Sequence, residues 1–78
     1  MTHNELILQA RINQKRSQQY VAMKVGIKYQ SVANIEKGSR KLPLKWFNKI
    51  CEVLKLDKEK LFEAMAADYK TEMIKKIS

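Results

Sequence analysis

Residues 17–38 read SQQYVAMKVGIKYQSVANIEKG, and this stretch decides the fold. It contains two short apolar stripes at helical spacing, and each stripe is followed by a glycine, Gly26 or Gly38. Glycine readily adopts the left-handed backbone conformation that commonly ends a helix. The pattern therefore predicts two short helices, over 18–25 and 29–37, joined by a tight turn.

Two short helices joined by a tight turn that contains glycine form a helix-turn-helix motif. The first helix needs a small residue where the second crosses it, and Ala22 meets that need. The second helix turns Val32 and Ile35 inward and leaves a face of short or hydrogen-bonding side chains exposed. That face consists of Tyr29, Gln30, Ala33, Asn34 and Lys37. Such side chains are suited to reading base edges in the major groove of DNA.

Further helices are expected on both sides of this motif. Thr2 and Glu5 have the spacing of a capping box, which predicts a first helix over 3–14. Pro43 suits the first turn of a fourth helix over 43–54. No segment of useful length alternates with the period of a strand. We therefore expect an all-α fold of five helices.

The C-terminal third begins with Asp57, a candidate N-cap for a fifth helix that turns Leu61 and Phe62 inward. From Leu61 a row at i+4 spacing continues through Met65, Tyr69, Met73 and Ile77. We expect a DNA-binding domain over residues 1–62 and a helical tail over 63–78. The tail either extends the fifth helix or forms a separate dimerisation helix.

The charge of the chain is concentrated in one segment. The net charge is +8, and residues 11–50 hold ten Lys or Arg and a single acid, Glu36. Residues 51–78 are balanced. Such asymmetry favours a polyanionic partner, with a solvated basic face as the alternative. An anionic membrane surface is disfavoured because turn signals interrupt the basic segment.

Motif residues at fixed spacing make the chain resemble a known family. They are Ser17-Gln18, Val21-Ala22, Gly26-Ile27 and Ile35-Glu36-Lys37-Gly38. Together they resemble the helix-turn-helix of the lambda and 434 repressor, Cro and Xre family, over roughly residues 5–62. The resemblance implies a compact, lambda-repressor-like domain of five helices that binds double-stranded DNA, usually as a homodimer.

The resemblance also implies roles for individual residues. The base-reading positions fall on Tyr29, Gln30, Ala33 and Asn34. The candidate phosphate contacts are Gln18, Lys28, Ser31, Lys37, Arg40 and Lys41. Arg11 and Glu36 match a pair that forms a salt bridge between the first and third helices. A lone acid on the inner face of a helix also needs a cationic partner on physical grounds.

Four positions depart from the family pattern. Lys28 stands where a Ser or Thr N-cap is preferred, so the third helix is expected to start without a side-chain cap. Lys15 and Arg16 replace a usual glycine and hydrophobic residue between the first two helices. Tyr29 replaces a small or amide residue at a reading position, so the operator sequence does not follow by analogy.

The remaining candidate residues are expected to have structural roles and no catalytic or metal-binding role. His3 has no partner at metal-ligand spacing and is expected to be solvated or adjacent to a helix cap. Cys51 is expected to be a small buried hydrophobe. No catalytic set, metal site or cofactor site is expected. Trp46 is either half-buried or part of a dimer contact. The dimer candidates are Trp46, Met65, Tyr69, Met73 and Ile77.

These observations predict a sequence-specific regulator of transcription, a phage or bacterial repressor-like protein, that binds a roughly palindromic operator as a dimer. A cytoplasmic location is expected, since the chain has one cysteine and neither a signal peptide nor a membrane span. The alternative is an antitoxin or a restriction-modification controller whose C-terminal surface binds a partner protein or toxin. An enzyme is the least favoured class, because no constellation of acids, bases or ligands is apparent.

Overall fold

Five helices form the computed structural model, which describes the backbone of residues 1–77 and the side chains of residues 1–68. They are α1 (His3–Asn13), α2 (Gln18–Val25), α3 (Tyr29–Lys37), α4 (Leu44–Leu54) and α5 (Lys58–Ile77). No strand occurs within residues 1–77. The all-α prediction is confirmed, and α2 and α3 have the predicted bounds. The first and fourth helices differ from prediction by one residue, since α1 ends at Asn13 and Pro43 is the N-cap of α4.

Local capping explains why the helix-turn-helix falls where the sequence places it. Ser17 Oγ accepts from the Tyr20 N–H at 3.0 Å and caps the start of α2. Gly26 ends α2 with a φ of 84°, and Gly38 ends α3 with a φ of 88°. Both angles lie in the left-handed region, where a Cβ atom costs free energy.

Lys15 adopts the same left-handed conformation without being a glycine. Its φ is 55°, in the turn that joins α1 to α2. This is the position at which the family pattern has a glycine, so the departure from the pattern places a strained residue in the connection. A non-glycine residue in this conformation costs about 1–2 kcal/mol.

We expect Lys15→Gly to raise the free energy of unfolding by about 0.5–1 kcal/mol. The relief of backbone strain exceeds the extra entropy that glycine gains in the unfolded chain. Urea unfolding followed by circular dichroism measures the change. Lys15→Ala is the matched control, because it removes the same charge and keeps a Cβ atom. Equal stabilities of the two variants would contradict the role of the backbone conformation.

The core lies between the helices: α2 packs on α3 and α4, and α1 packs on α3, α4 and α5. Its buried hydrophobic residues are Ile7, Val21, Ala22, Val32, Ile35, Leu42, Ile50, Cys51, Leu54, Leu61 and Met65. Burial raises the pKa of the Cys51 thiol, which keeps it protonated and poorly reactive. The packing fixes α3 so that its opposite face points away from the core.

Two expectations for α5 are wrong. Phe62 is 59% exposed, whereas Leu61 is fully buried. Neighbouring residues on a helix point about 100° apart, so the inward position of Leu61 turns Phe62 outward. Met65, expected on a dimer surface, is only 3% exposed because its i+4 spacing from Leu61 places it on the same inner stripe.

The C-terminal tail continues α5 without a break as far as Ile77. The expected domain boundary after residue 62 therefore falls inside one helix, and Met65 belongs to the core of the first part. The other members of the expected dimer row, Tyr69, Met73 and Ile77, lie outside the residues whose side chains are described.

Candidate nucleic-acid interface

The outer face of α3 is an exposed hydrogen-bonding surface of the helix-turn-helix. Tyr29 is 48% exposed, Gln30 and Lys37 are exposed, and Ala33 and Asn34 are half-buried. Gln30 Nε2 donates to Asn34 Oδ1 at 3.3 Å, one helical turn along the same face. The paired amides keep further donors and acceptors, because each amide carries two donor hydrogens and one acceptor oxygen. The structure thus brings together the residues that were predicted to read bases.

A buried ion pair fixes the orientation of this face. Arg11 Nε donates to Glu36 Oε2 at 2.6 Å, and Arg11 Nη2 donates to Glu36 Oε1 at 3.0 Å. The carboxylate side chain of Glu36 is only 3% exposed. Gln18 Nε2 donates to the same Glu36 Oε1 at 2.8 Å, so one carboxylate on α3 is held by side chains of α1 and α2. The pair predicted between Arg11 and Glu36 is present, and it locks α3 to both preceding helices.

The start of α3 lacks the side-chain cap that holds the start of α2. Lys28 occupies the N-cap position with extended backbone, and its side chain makes no capping hydrogen bond. The expected departure from a Ser or Thr cap is therefore observed. The ammonium group of Lys28 is exposed at the end of α3 where the partial positive charge of the helix is located.

Residues 38–42 form a loop, here called the basic loop, that carries Arg40 and Lys41 beside α3. The loop leaves α3 through hydrogen bonds from the backbone N–H groups of Ser39 and Arg40 to the Asn34 carbonyl, at 3.0 and 3.3 Å. Arg40 Nη1 lies 3.5 Å from Ser31 Oγ. The loop therefore presents the guanidinium group of Arg40 next to α3.

Two residues at the start of α1 hold the basic loop, and sequence reasoning missed both. Asn4 Nδ2 donates to the Ile35 carbonyl at 2.7 Å and to the Arg40 carbonyl at 3.0 Å. His3 Nε2 accepts from the Leu42 N–H at 3.3 Å. A single amide thus satisfies a carbonyl at the end of α3 and another in the loop that follows.

His3 was expected to be either solvated or adjacent to a helix cap; it follows the N-cap residue Thr2, but it is not solvated. The residue is 2% exposed and contacts Asp68 of α5 through its backbone and its ring. Because Leu42 N–H donates to Nε2, Nδ1 is the ring atom that donates to Asp68 Oδ2, at 2.5 Å. The signal that could have found His3 is its i+4 spacing from Ile7, which puts it on the buried stripe of α1.

The contact with His3 changes the pKa of the Asp68 carboxyl group. Partial burial acts to raise the pKa of its carboxyl group, but hydrogen bonds from the backbone N–H and the ring of His3 outweigh burial and lower that pKa. An aspartate whose pKa is lower in the folded than in the unfolded chain stabilises the fold at neutral pH. That stabilisation is lost as the pH falls through the folded-state pKa.

We expect Asp68→Asn to lower the free energy of unfolding by about 1–2 kcal/mol at pH 7, since it removes charge-assisted hydrogen bonds. At an acidic pH, below the ordinary range of an aspartate, the wild-type carboxyl group takes up its proton and the difference between the two proteins shrinks. Urea unfolding at both pH values measures it, with Glu63→Gln as a control on the exposed side of α5. A difference that does not change with pH would contradict the carboxylate's role.

Trp46 is half-buried, which is one of the two expectations for it, and its ring lies beside the basic loop. The guanidinium carbon of Arg40 is 4.9 Å from the centre of the Trp46 ring. The ammonium nitrogen of Lys45 is 5.5 Å from the same centre. The ring of Trp46 is thus flanked by cations on the side of the molecule that carries the outer face of α3.

Other kinds of site receive no support from the described residues. No group of three or more His, Cys, Asp or Glu side chains is placed to hold a metal ion within the part of the chain whose side chains are described. Within the described residues, no helix combines the length and apolar character needed to cross a bilayer.

Comparison with known proteins bears on the same segment. A family of proteins described as helix-turn-helix, of the Xre/Cro-like type, matches residues 7–61. The matched segment begins within α1 and ends within the first turn of α5, and it contains Arg11, Glu36 and the whole outer face of α3. No curated protein matches the chain.

Proposed function

The chain belongs to the Xre/Cro-like helix-turn-helix family of DNA-binding transcription regulators, and we propose that it binds a specific, roughly palindromic operator as a homodimer. In this proposal α3 enters the major groove, and two copies of it lie about 34 Å apart in successive turns of the duplex. The protein then acts as a repressor by occupying the operator.

One observation carries the proposal: the outer face of α3 is held in place by buried contacts and offers amide groups to solvent. The bidentate contact between Arg11 and Glu36 fixes α3, so the backbone that carries Gln30 and Asn34 does not have to be ordered on binding. Asn and Gln side chains make paired hydrogen bonds with the N6 and N7 atoms of adenine. Gln30 and Asn34 are therefore proposed to contribute most of the sequence reading, with Tyr29 and Ala33 beside them.

Affinity is proposed to come from phosphate contacts around the same face. The proposed residues are Gln18, Lys28, Ser31, Lys37, Arg40 and Lys41. Glu36 is the only acid between residues 11 and 50, and its carboxylate is engaged by Arg11 and Gln18. The positive charge of this segment is therefore not balanced from within it, which favours a polyanion.

A selection from random duplex DNA, run with the whole chain at two salt concentrations, tests the proposal. We expect one enriched motif with two-fold symmetry, bound by two chains as measured by the native mass of the complex. Binding to that motif should exceed binding to random duplexes by 10³-fold or more.

A failure of the selection would also be informative. Weak binding that falls steeply with salt and enriches no motif would contradict sequence-specific regulation. The alternative function, an antitoxin or a restriction-modification controller with a partner protein on α5, would then be tested by measuring binding to the product of a neighbouring gene.

A further inference from the structure

Two cations contact an aromatic ring on α2. The guanidinium carbon of Arg16 lies 4.4 Å from the centre of the Tyr20 ring, and the ammonium nitrogen of Lys24 lies 5.7 Å from it. We call these three residues the α2 cluster. Both distances are within the range of a cation–π contact.

A second ring is flanked in the same way. Trp46, together with Arg40 and Lys45, forms what we call the α4 cluster. Two half-buried rings outside α3 are thus each flanked by one arginine and one lysine, and Glu36, the only acid of this segment, is engaged elsewhere. The repetition of this arrangement suggests a common partner.

The two clusters are connected to opposite edges of the outer face of α3. Arg40 of the α4 cluster reaches Ser31 on one edge of α3. The α2 cluster joins the other edge through Arg11, which binds Glu36 and donates from Nη1 to the Arg16 carbonyl at 2.8 Å. At about 100° per residue, Ser31 and Glu36 are about 140° apart across the buried side of α3. The residues of the outer face occupy the remaining arc of about 220°.

A helix in the major groove has one sugar-phosphate backbone on each side of it. A surface with a cationic cluster on each side of such a helix therefore matches the two backbones. A guanidinium group stacked on a ring keeps its N–H donors free at the edge, in the fork that suits a phosphate. Because the ring restricts the side chain before binding, less conformational entropy is lost when the phosphate is contacted.

We propose that Tyr20 and Trp46 are positioning residues, which hold the cations of the α2 and α4 clusters against the two phosphate backbones of a DNA duplex. The proposal rests on the proposed function and adds Arg16, Lys24 and Lys45 to the phosphate contacts. The rings do not read bases in this arrangement. Their contribution is therefore the same for the operator and for any other duplex.

The competing explanation is that both rings only cover the core. Tyr20 and Trp46 are half-buried and pack against core residues, so replacing either one also lowers stability. Binding must therefore be measured where each variant is folded, as checked by circular dichroism. The decisive comparison is between a ring replacement in the wild-type background and the same replacement after the cations of its cluster have been neutralised.

The experiment measures the affinity of the full chain for a random-sequence duplex at several salt concentrations. We expect Trp46→Leu and Tyr20→Leu each to weaken binding about 3- to 10-fold. In the Arg40→Gln/Lys45→Gln background, Trp46→Leu should have an effect below about 2-fold, because a ring that acts through its cations has nothing left to position. The same is expected of Tyr20→Leu in the Arg16→Gln/Lys24→Gln background. Phe62→Leu, an exposed aromatic of α5, is the control and should change nothing.

The two double glutamine variants provide a readout that does not depend on replacing a ring. Each replaces only exposed cations and should reduce the slope of log affinity against log salt by about 1.8, the value for two phosphate contacts. An unchanged slope for either variant would overturn the assignment of that cluster. If a ring variant weakens binding equally in the wild-type and the glutamine background, the positioning role is overturned. The proposed function is untouched by that outcome, as long as the wild-type chain binds DNA. A wild-type chain that does not bind duplex DNA would overturn both.

Discussion

Arg11→Met is expected to destabilise the fold by about 3–5 kcal/mol. The substitution leaves the Glu36 carboxylate buried, with Gln18 as its remaining side-chain partner, and a buried charge that has lost its counter-ion is costly. Domains of this kind are stable by about 5–15 kcal/mol, so the loss is a large share of the total. Urea unfolding monitored by circular dichroism measures it.

A second variant separates the cost of the unpaired charge from the value of the pair itself. Arg11→Met/Glu36→Met removes both charges, and its stability should return to within about 1–2 kcal/mol of the wild type. Lys49→Met, an exposed cation of α4, is the matched control and should change stability by less than about 0.5 kcal/mol. A single Arg11→Met variant that loses under 1 kcal/mol would show that Glu36 does not depend on this partner.

Asn34→Ala is expected to weaken binding to the selected operator by about 1–3 kcal/mol, or roughly 5- to 150-fold. The amide of Asn34 lies on the outer face of α3 and is paired with Gln30, so its removal also loosens the neighbouring reader. Binding to a random duplex should stay within about 2-fold, because phosphate contacts carry no sequence information. The ratio of the two affinities, measured at one salt concentration, is the quantity to follow.

Asn48→Ala is the matched control for this measurement. Asn48 is an exposed asparagine on α4, so the same change in helix propensity is made away from the outer face of α3. Its substitution should leave both affinities unaltered. Equal losses by Asn34→Ala on operator and random DNA would show that Asn34 holds the protein on the duplex without reading a base.

The parts of the fold that could be predicted from the sequence are those set by near neighbours. Ser17 and Gly38 fix helix ends through contacts within a few residues, and α2 and α3 accordingly have the predicted bounds. The pair of Arg11 and Glu36 joins distant residues, yet it was predictable because a lone acid on an inner face restricts its choice of partner. The family resemblance pointed to the same two residues.

The parts that could not be predicted depend on residues that meet only in the folded chain. Nothing near His3 in the sequence indicates that Asp68 and the Leu42 N–H group will satisfy its ring. The two carbonyl groups held by Asn4 are likewise created by the path of the basic loop. Phe62 was misplaced for a different reason, since Leu61 and Phe62 are both hydrophobic and only one of two adjacent helical residues can face the core.

The contact between His3 and Asp68 also bears on the order in which the chain folds. It joins residues 65 positions apart, whereas the turn between α2 and α3 is closed by near neighbours. Closing a long loop costs more entropy than closing a short one, so the distant contact forms late and breaks early. Removing it should therefore speed unfolding and leave the refolding rate nearly unchanged. It also follows that the contacts between α1 and the basic loop can open briefly while α2 and α3 remain packed together. The amide hydrogens of the loop should then exchange with solvent sooner than those of α3.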